Sequence, residues 1–383
     1  YKRQTEMRIG FDGKRAVQNF TGLGNYSRYV ADILCHFYPE NDYVLYAPKK
    51  RENKRMNLLT GQYRQLTLAY PATFFWKKLS SLWRVWGITS QLEKEGIELF
   101  HGLSNELPLN IHKSRIKSIV TIHDLIFLRY PQYYQSIDRK IYTYKFRKAC
   151  ENADKIIAIS ECTKRDIIRY FNIPDDKIEV VYQGCDVSFT HPVTEEKKEE
   201  VRKKYQLPDH YILNVGSIEE RKNILAAVQA LPMLPQHIHI VIVGRRTGYT
   251  EKVEQFIKDN GLGERVHIIS NVPFNDLPAF YQTAEIFVYP SRFEGFGIPI
   301  IEALYSGIPV VAATGSCLEE AGGPDSIYVN PDDITGLADA FKQIYSNSDK
   351  RKNMVEKGRE FAKRFSEKQQ SEEIINIYKK LIR

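Results

Sequence analysis

The sequence predicts an α/β protein of two domains, each built on a parallel sheet. Three observations predict it. Short apolar runs alternate with amphipathic segments, a charged stretch interrupts the alternation near mid-chain, and a fresh alternation follows it. At 383 residues the chain is long enough for two domains of ordinary size.

In the front half, Met7–Phe11, Asp42–Tyr46, Gln65–Ala69, Glu98–Gly102, Ser118–His123 and Lys155–Ser160 read as short, mostly buried strands. Gly22–Phe37, Ser80–Glu95, Arg139–Glu151 and Cys162–Phe171 read as the helices between them. The charged stretch is Thr194–Lys204. Beyond it, His210–Gly216, Ile238–Gly244, Val266–Ile269, Glu285–Tyr289, Pro309–Ala313 and Ser326–Val329 read as strands. Strands separated by helices imply parallel sheets with right-handed crossovers. The expected domains are Rossmann-like and cover 7–190 and 200–365. A last helix, 366–383, follows no strand and is expected to cross back to the first domain. Ligands of open α/β sheets bind beyond the carboxyl ends of strands, so a cleft between facing domains is the expected site.

Composition narrows the function classes. No stretch approaches the roughly 18 apolar residues of a transmembrane helix. The first six residues precede Met7 and carry charge without an apolar core, the look of a tag remnant or leader rather than a secretion signal. Cys35, Cys150, Cys162, Cys185 and Cys317 are scattered, without C-x-x-C spacing, which argues against zinc and disulfides and for a reducing cytoplasm. Residues 1–185 hold 30 Lys and Arg against 19 Asp and Glu, or +11; the remainder hold 25 against 28, or −3. The basic front half lacks zinc-finger spacing and an RNA-binding aromatic signature, so nucleic acid is not the expected partner. An anionic membrane surface, a phosphate-bearing acceptor, or a plain solvated face remain.

The richest stretch is Ser291–Leu304, between an apolar run and a helix. Gly295 and Gly297 open a loop around Glu294, Pro299 suits a first helical turn, and Glu302 lies about one turn in. Carboxylates grip vicinal hydroxyls and helix N-termini bind phosphate, so the inventory fits a nucleotide-sugar. An ordinary strand–loop–helix joint accounts for the same residues. Gly216–Asn223 likewise follows a strand, and Arg221 and Lys222 are placed to neutralise a diphosphate. Positive charge at a helix start opposes the dipole and makes more sense with an anion bound. His123 and Asp124 end another strand and read as sugar contacts, although a lone histidine is more often structural. Gly22 and Gly24 open the first long helix, but Ser27 breaks the G-x-G-x-x-G fingerprint and argues against NAD.

These motifs together resemble the retaining glycosyltransferase family 4, which has the two-domain GT-B fold. The resemblance runs from about Met7 to Arg383 on GLGNY (22–26), HDL (123–125), GSIEERKN (216–223) and EGFGIPIIE (294–302), whose ends form the family's E-x₇-E. It implies that Glu294 holds donor-sugar hydroxyls and Glu302 the nucleotide ribose. Arg221 and Lys222 would bind the diphosphate, helped by the amides of Phe296 and Gly297, with Gly216, Gly295 and Ile298 lining the donor. His123, with Asp124 beside it, would touch the sugar, while Gly22 and Gly24 let phosphate or acceptor approach the first loop. The catalytic set would be His123, Glu294, Arg221 and Lys222, without cofactor or metal. Two departures stand out: Glu where relatives commonly carry Pro in Gly315–Glu320, and Asn25 where a basic residue is frequent, leaving one fewer phosphate contact.

Breaking a sugar–diphosphate bond develops negative charge on the leaving group, which fixed cations or a metal must meet. No Asp-x-Asp occurs, so the task falls to Arg221, Lys222 and the helix start near Pro299. No carboxylate stands out as the nucleophile of a double displacement, so same-face attack through an oxocarbenium-like transition state is expected. A sugar-nucleotide epimerase, a phosphorylase and a basic membrane-binding module are the rivals. His123-Asp124-Leu125 and the general look resemble bacterial mannosyltransferases of polysaccharide assembly. They make GDP-mannose the first-choice donor, UDP-hexoses the next, and a glycan or lipid-linked molecule the acceptor. The expected location is cytoplasmic, on the inner face of the cytoplasmic membrane if the basic face binds lipid.

One segment bears on that. Phe75, Leu79, Leu82 and Trp86 fall on one helical face of Phe74–Trp86, with Lys77, Lys78 and Arg84 elsewhere. Either this face packs on the first sheet with Trp83 in the core, or it lies in a membrane interface.

Overall fold

A computed structural model describes residues 7–382, so the expected tag or leader at 1–6 and Arg383, the expected end of the last helix, lie outside the described residues. The chain forms two compact units: residues up to Tyr182 together with those from Glu367, and Gln183–Ser366. The passage between them thus falls before the expected boundary at 190–200. The reason is packing: Phe189 is buried against Phe274 and Tyr281, and the Val193 amide donates to Gln282 Oε1 at 2.8 Å.

The first unit carries β1 (Arg8–Asp12), β2 (Asp42–Tyr46), β3 (Leu66–Ala69), β4 (Leu99–Gly102), β5 (Lys117–Ile122), β6 (Lys155–Ala158) and β7 (Ile178–Val180). They form one parallel sheet in the order β3-β2-β1-β4-β5-β6-β7. The helix Gly22–Phe37 buries Tyr26, Val30, Ile33 and Leu34, a stripe at helical spacing. Against the same cluster the helix Glu367–Ile382 lays Ile374, Ile375, Ile377 and Tyr378. Each such apolar burial stabilises by about 1.5–3 kcal/mol.

The expected helix Ser80–Glu95 is not uniform. It opens into a wider π-helical turn at Trp83–Gly87 before Ile88–Lys94. Close contacts hold both ends of the distorted stretch. Arg84 grips Asp12 and Glu106, and a Cβ at Gly87 would lie 2.6 Å from the Trp76 ring. Trp83 is core, as packing on the sheet requires, yet the face of Phe75, Leu79, Leu82 and Trp86 is exposed, Phe75 at 60% and Trp86 at 49%. That face does not pack on the sheet. A second exposed apolar face, Ile137, Ile141 and Tyr144, lies on the helix Ser136–Asn152. Its Lys145 meets Glu106, the carboxylate that also holds Arg84.

The second unit carries β8 (Tyr211–Val215), β9 (His239–Val243), β10 (Val266–Ile269), β11 (Ile286–Tyr289), β12 (Val310–Ala313) and β13 (Ile327–Val329), parallel, in the order β10-β9-β8-β11-β12-β13. Its charged leader becomes the helix Glu195–Tyr205, capped by the Thr194 hydroxyl, with acids in the first turn and bases in the last. In each sheet the strand order reverses at one place, between β1 and β4 and between β8 and β11. Connections there leave in opposite directions and open space at the carboxyl ends.

Candidate functional site

The reversal between β8 and β11 organises the second unit's site. Past β8, Gly216 takes φ +153°, and a side chain there would press on the Lys222 ammonium. The turn Glu220–Lys222 follows, and Asn223, with φ +54°, closes it by donating to the carbonyls of Pro290 and Pro331. Past β11 comes Glu294. Arg221 lies 2.8 Å from its Oε2 and Lys222 3.3 Å from its Oε1. Ser291 and Tyr289 add hydroxyl donors to Oε1 at 2.9 and 3.2 Å, and Lys222 donates to the Tyr289 hydroxyl at 3.0 Å. The loops are stitched further by Arg221 donating to the Phe293 carbonyl and by the Arg292 amide donating to the Arg221 carbonyl.

Burial alone would push the Glu294 carboxyl up, but Lys222 and Arg221 overcome it and hold it at about 2. Burial would likewise lower both cations, but Glu294 more than offsets it and holds them above their ordinary values. Glu294, Arg221 and Lys222 are therefore all charged at neutral pH, in a pocket where each side chain is less than a fifth exposed. They are not the pair of solvated surface cations that the helix start alone would allow.

Gly297 has φ +126° and caps the helix Ile298–Ser306, with Pro299 in its first turn. Gly295 and Phe296 lie between it and Glu294, the Phe296 ring buried against Phe365. Cys317, read in the sequence only as one of five scattered cysteines, donates its thiol to the carbonyls of Glu294 and Phe296 at 3.0 and 2.9 Å. The departure at Gly315–Glu320 also has a shape: Glu319 accepts from the Thr314 hydroxyl and the Gly315 amide, and Gly315 has φ +88°. Glu302 stands apart from the ion cluster. It accepts from the Tyr281 hydroxyl at 2.6 Å, and burial raises its carboxyl to about 7.

The first unit holds the remaining candidates. His123 follows β5, its amide donating to Asn105 Oδ1 at 2.8 Å and its Nε2 lying 2.9 Å from the Leu103 carbonyl. A carbonyl only accepts, so Nε2 carries the hydrogen and Nδ1 is the acceptor. Burial drops His123 to about 4, leaving it neutral at pH 7. Asn105 reaches it from a left-handed backbone, φ +64°. Asp124 accepts from the Ile126 amide, a local turn contact.

The glycines of the first loop differ. Around Gly22 nothing lies within 4 Å of an added Cβ, whereas at Gly24 the Cβ would fall 1.9 Å from the Asn19 carbonyl. The missing Cβ at Gly24 is thus accounted for by the close packing of the loop itself. Asn25, the second departure, accepts from Arg28 and Arg55 at 2.7 and 3.2 Å, so two guanidinium groups converge on it. All five cysteines are buried, and none is joined in a disulfide.

The family Glycosyltransferase Family 4 matches residues 27–189, and Glycosyl transferases group 1 matches residues 195–361. O-antigen chain mannosyltransferase B of Escherichia coli is 31% identical over 289 residues, 74% of this chain and 74% of that protein. O-antigen chain mannosyltransferase RfbU of Salmonella typhimurium is 29% identical over 59% of this chain and 60% of its own length. Among solved structures, Anabaena HepE in complex with UDP and glucose superposes with a TM-score of 0.77 over 98% of this chain and 100% of that one. At 17% identity it speaks for the fold alone. Both sheets, their strand orders and the 31% identity over most of both chains lead to one assignment. The protein belongs to the group 1, family 4 glycosyltransferases and has their GT-B fold.

Proposed function

We propose that the protein transfers a hexose with retention, and without a metal, from a nucleoside-diphosphate sugar to a glycan or lipid-linked acceptor in polysaccharide assembly. Mannose from GDP-mannose is the first choice, because the similar proteins include the two mannosyltransferases above. The observation that carries the reading is the buried Arg221–Lys222–Glu294 cluster. A diphosphate supplies the anion these two cations otherwise find in Glu294, and Glu294 is then released to accept from sugar hydroxyls. As the C1–oxygen bond to the diphosphate breaks, Arg221, Lys222 and the amides of Phe296 and Gly297 meet the charge on the leaving oxygen. The acceptor oxygen bonds C1 on the same face, and its proton passes to the departing diphosphate. Glu302 accepts from the ribose, His123 Nδ1 accepts from a sugar hydroxyl, and Asp124 and Gly22 border the front loop.

The acceptor is brought by an anionic membrane surface on the cytoplasmic side. Two exposed apolar faces support this. They are Phe75–Leu79–Leu82–Trp86 and Ile137–Ile141–Tyr144, beside Lys77, Lys78, Arg139 and Lys140 in the basic half of the chain. No helix among the described residues is long and apolar enough to cross a membrane.

One experiment tests both parts. Nucleoside diphosphate release is followed from GDP-mannose and UDP-hexoses, in EDTA, with anionic or neutral vesicles present. Release from GDP-mannose in EDTA is expected, with protein pelleting on anionic vesicles at low salt and leaving them as salt rises. Release from UDP-glucose alone would transfer the reading to a UDP donor, the nucleotide bound in HepE. An absolute divalent-cation requirement would overturn the metal-free route, and no pelleting would leave a soluble acceptor.

A further inference from the structure

A chain of buried polar groups runs through the first unit and is not used by the transfer chemistry above. It begins on the helix Glu367–Ile382 at Tyr378, whose hydroxyl lies 2.6 Å from His101 Nδ1 on β4. His101 Nε2 lies 2.8 Å from the Thr121 hydroxyl on β5, and Thr121 in turn lies 3.3 Å from the Tyr26 hydroxyl. Tyr26 meets His123 ring against ring, edge to face, with centroids 4.6 Å apart. His101, Thr121 and Tyr378 are wholly buried and Tyr26 nearly so. Two residues beyond His101 the backbone supplies the Leu103 carbonyl that fixes the His123 tautomer.

Hydrogen accounting gives this chain a direction. Three hydroxyls and one neutral imidazole bring four hydrogens to three contacts, so one hydrogen is left over. Left at Tyr378, it would point into the apolar cluster formed by the helices Gly22–Phe37 and Glu367–Ile382, where an unmet donor is costly. Tyr378 therefore donates to Nδ1, His101 carries its hydrogen on Nε2 and donates to Thr121, and the spare hydrogen falls at Thr121 or Tyr26. Burial drives His101 down to about 3, so the imidazole keeps a single hydrogen throughout the working pH range.

We propose that Tyr378 is a positioning residue for His123, acting through His101, Thr121 and Tyr26. A helix remote in sequence thereby sets the ring against which the sugar-contacting histidine rests. The proposal rests on the role given to His123 above.

The test uses the full chain and two readouts. The first, long-range imidazole ¹H–¹⁵N spectra, is independent of transfer. Tyr378→Phe is expected to shift the His123 ring nitrogens, and wild-type His101 is expected to show the Nε2–H tautomer. The second readout is steady-state kinetics with GDP-mannose. A roughly tenfold fall in kcat with little change in donor KM is expected, as for a displaced contact. Thr121→Val should reproduce both effects and Thr121→Ser should restore them. Ile375→Val, which trims the same core without touching the chain, should leave both unchanged. Unchanged His123 resonances in Tyr378→Phe, or an equal kcat loss in Ile375→Val, would overturn the proposal. A wild type without transferase activity would count against the proposed function, with the spectra still deciding the relay.

Discussion

In the second unit, the loops after β8 and β11 bring together two buried cations and a carboxylate. In the first unit, the loops after β4 and β5 bring together a neutral imidazole, an amide side chain and a carbonyl. Both sets stand at or beside a reversal of strand order, so topology supplies the place and the residues decide what it does. Buried charges are costly unless partnered, and exchanging one partner for a ligand leaves the total charge contact nearly constant. A neutral set holds geometry without that cost and gives little to an incoming anion. On the function proposed above, the difference is a division of work, with anion binding in the charged loops and orientation in the uncharged ones.

That division can be broken by substitution. Arg221→Ala and Lys222→Ala should produce the largest effect, each lowering turnover about 100- to 1000-fold, the range for a lost electrostatic donor. Single-turnover rates at saturating donor measure it. A loss confined to donor KM would mean the cations bind ground state and transition state alike.

Glu294→Ala comes next and acts on stability as well as turnover. Removing the carboxylate leaves Arg221 and Lys222 buried without their main counter-charge, a loss of about 3–5 kcal/mol for a broken buried pair. Nucleoside diphosphate should restore much of it. The ligand-induced rise in melting temperature should therefore be larger in the variant than in the wild type. Equal rises would show that the diphosphate does not take the place of Glu294.

The smallest effect concerns pH. Glu302 titrates at about 7 when folded against an ordinary 4.5, so between those values the folded chain holds a proton that the unfolded chain has lost. Stability should fall as pH rises through that window and level off above it. Glu302→Gln should flatten this slope in urea titrations between pH 5 and 8. A slope unchanged by the substitution would place the titration elsewhere.

Much of this was legible in the sequence where a pattern had one physical cause. Buried parallel strands read as short apolar runs between breakers, which located β2 and β10 to the residue. β7 escaped because three residues at a sheet edge carry too little apolar signal. The π-helical turn at Trp83–Gly87 escaped because the contacts made there reach far along the chain, as from Arg84 to Asp12, 72 residues away. Within the site, Glu294, Arg221 and Lys222 could be read because charge beside glycine at a strand end suits a ligand's phosphates and hydroxyls. Tyr289 looked like one more strand residue, and Tyr281 like one more core aromatic. Nothing in the bare sequence says that their hydroxyls meet Glu294 and Glu302. Asn105 did leave a signal, since asparagine tolerates a left-handed backbone, but such residues are common in loops. The close packing of Gly24 on Asn19 was not legible, because a glycine spared for a ligand and one spared for its own loop look alike in sequence.

The helix Glu367–Ile382 places the two units in a definite order of completion during synthesis. The second unit is one unbroken run, Gln183–Ser366, and every strand it needs has emerged before that helix is made. The first unit starts earlier in the chain yet lacks Ile374, Ile375 and Tyr378 until last, at about 5–20 residues per second of translation. The nascent first unit therefore waits with an uncovered apolar stripe on Gly22–Phe37 while its neighbour folds. This is the stage at which a chaperone has the most to hold.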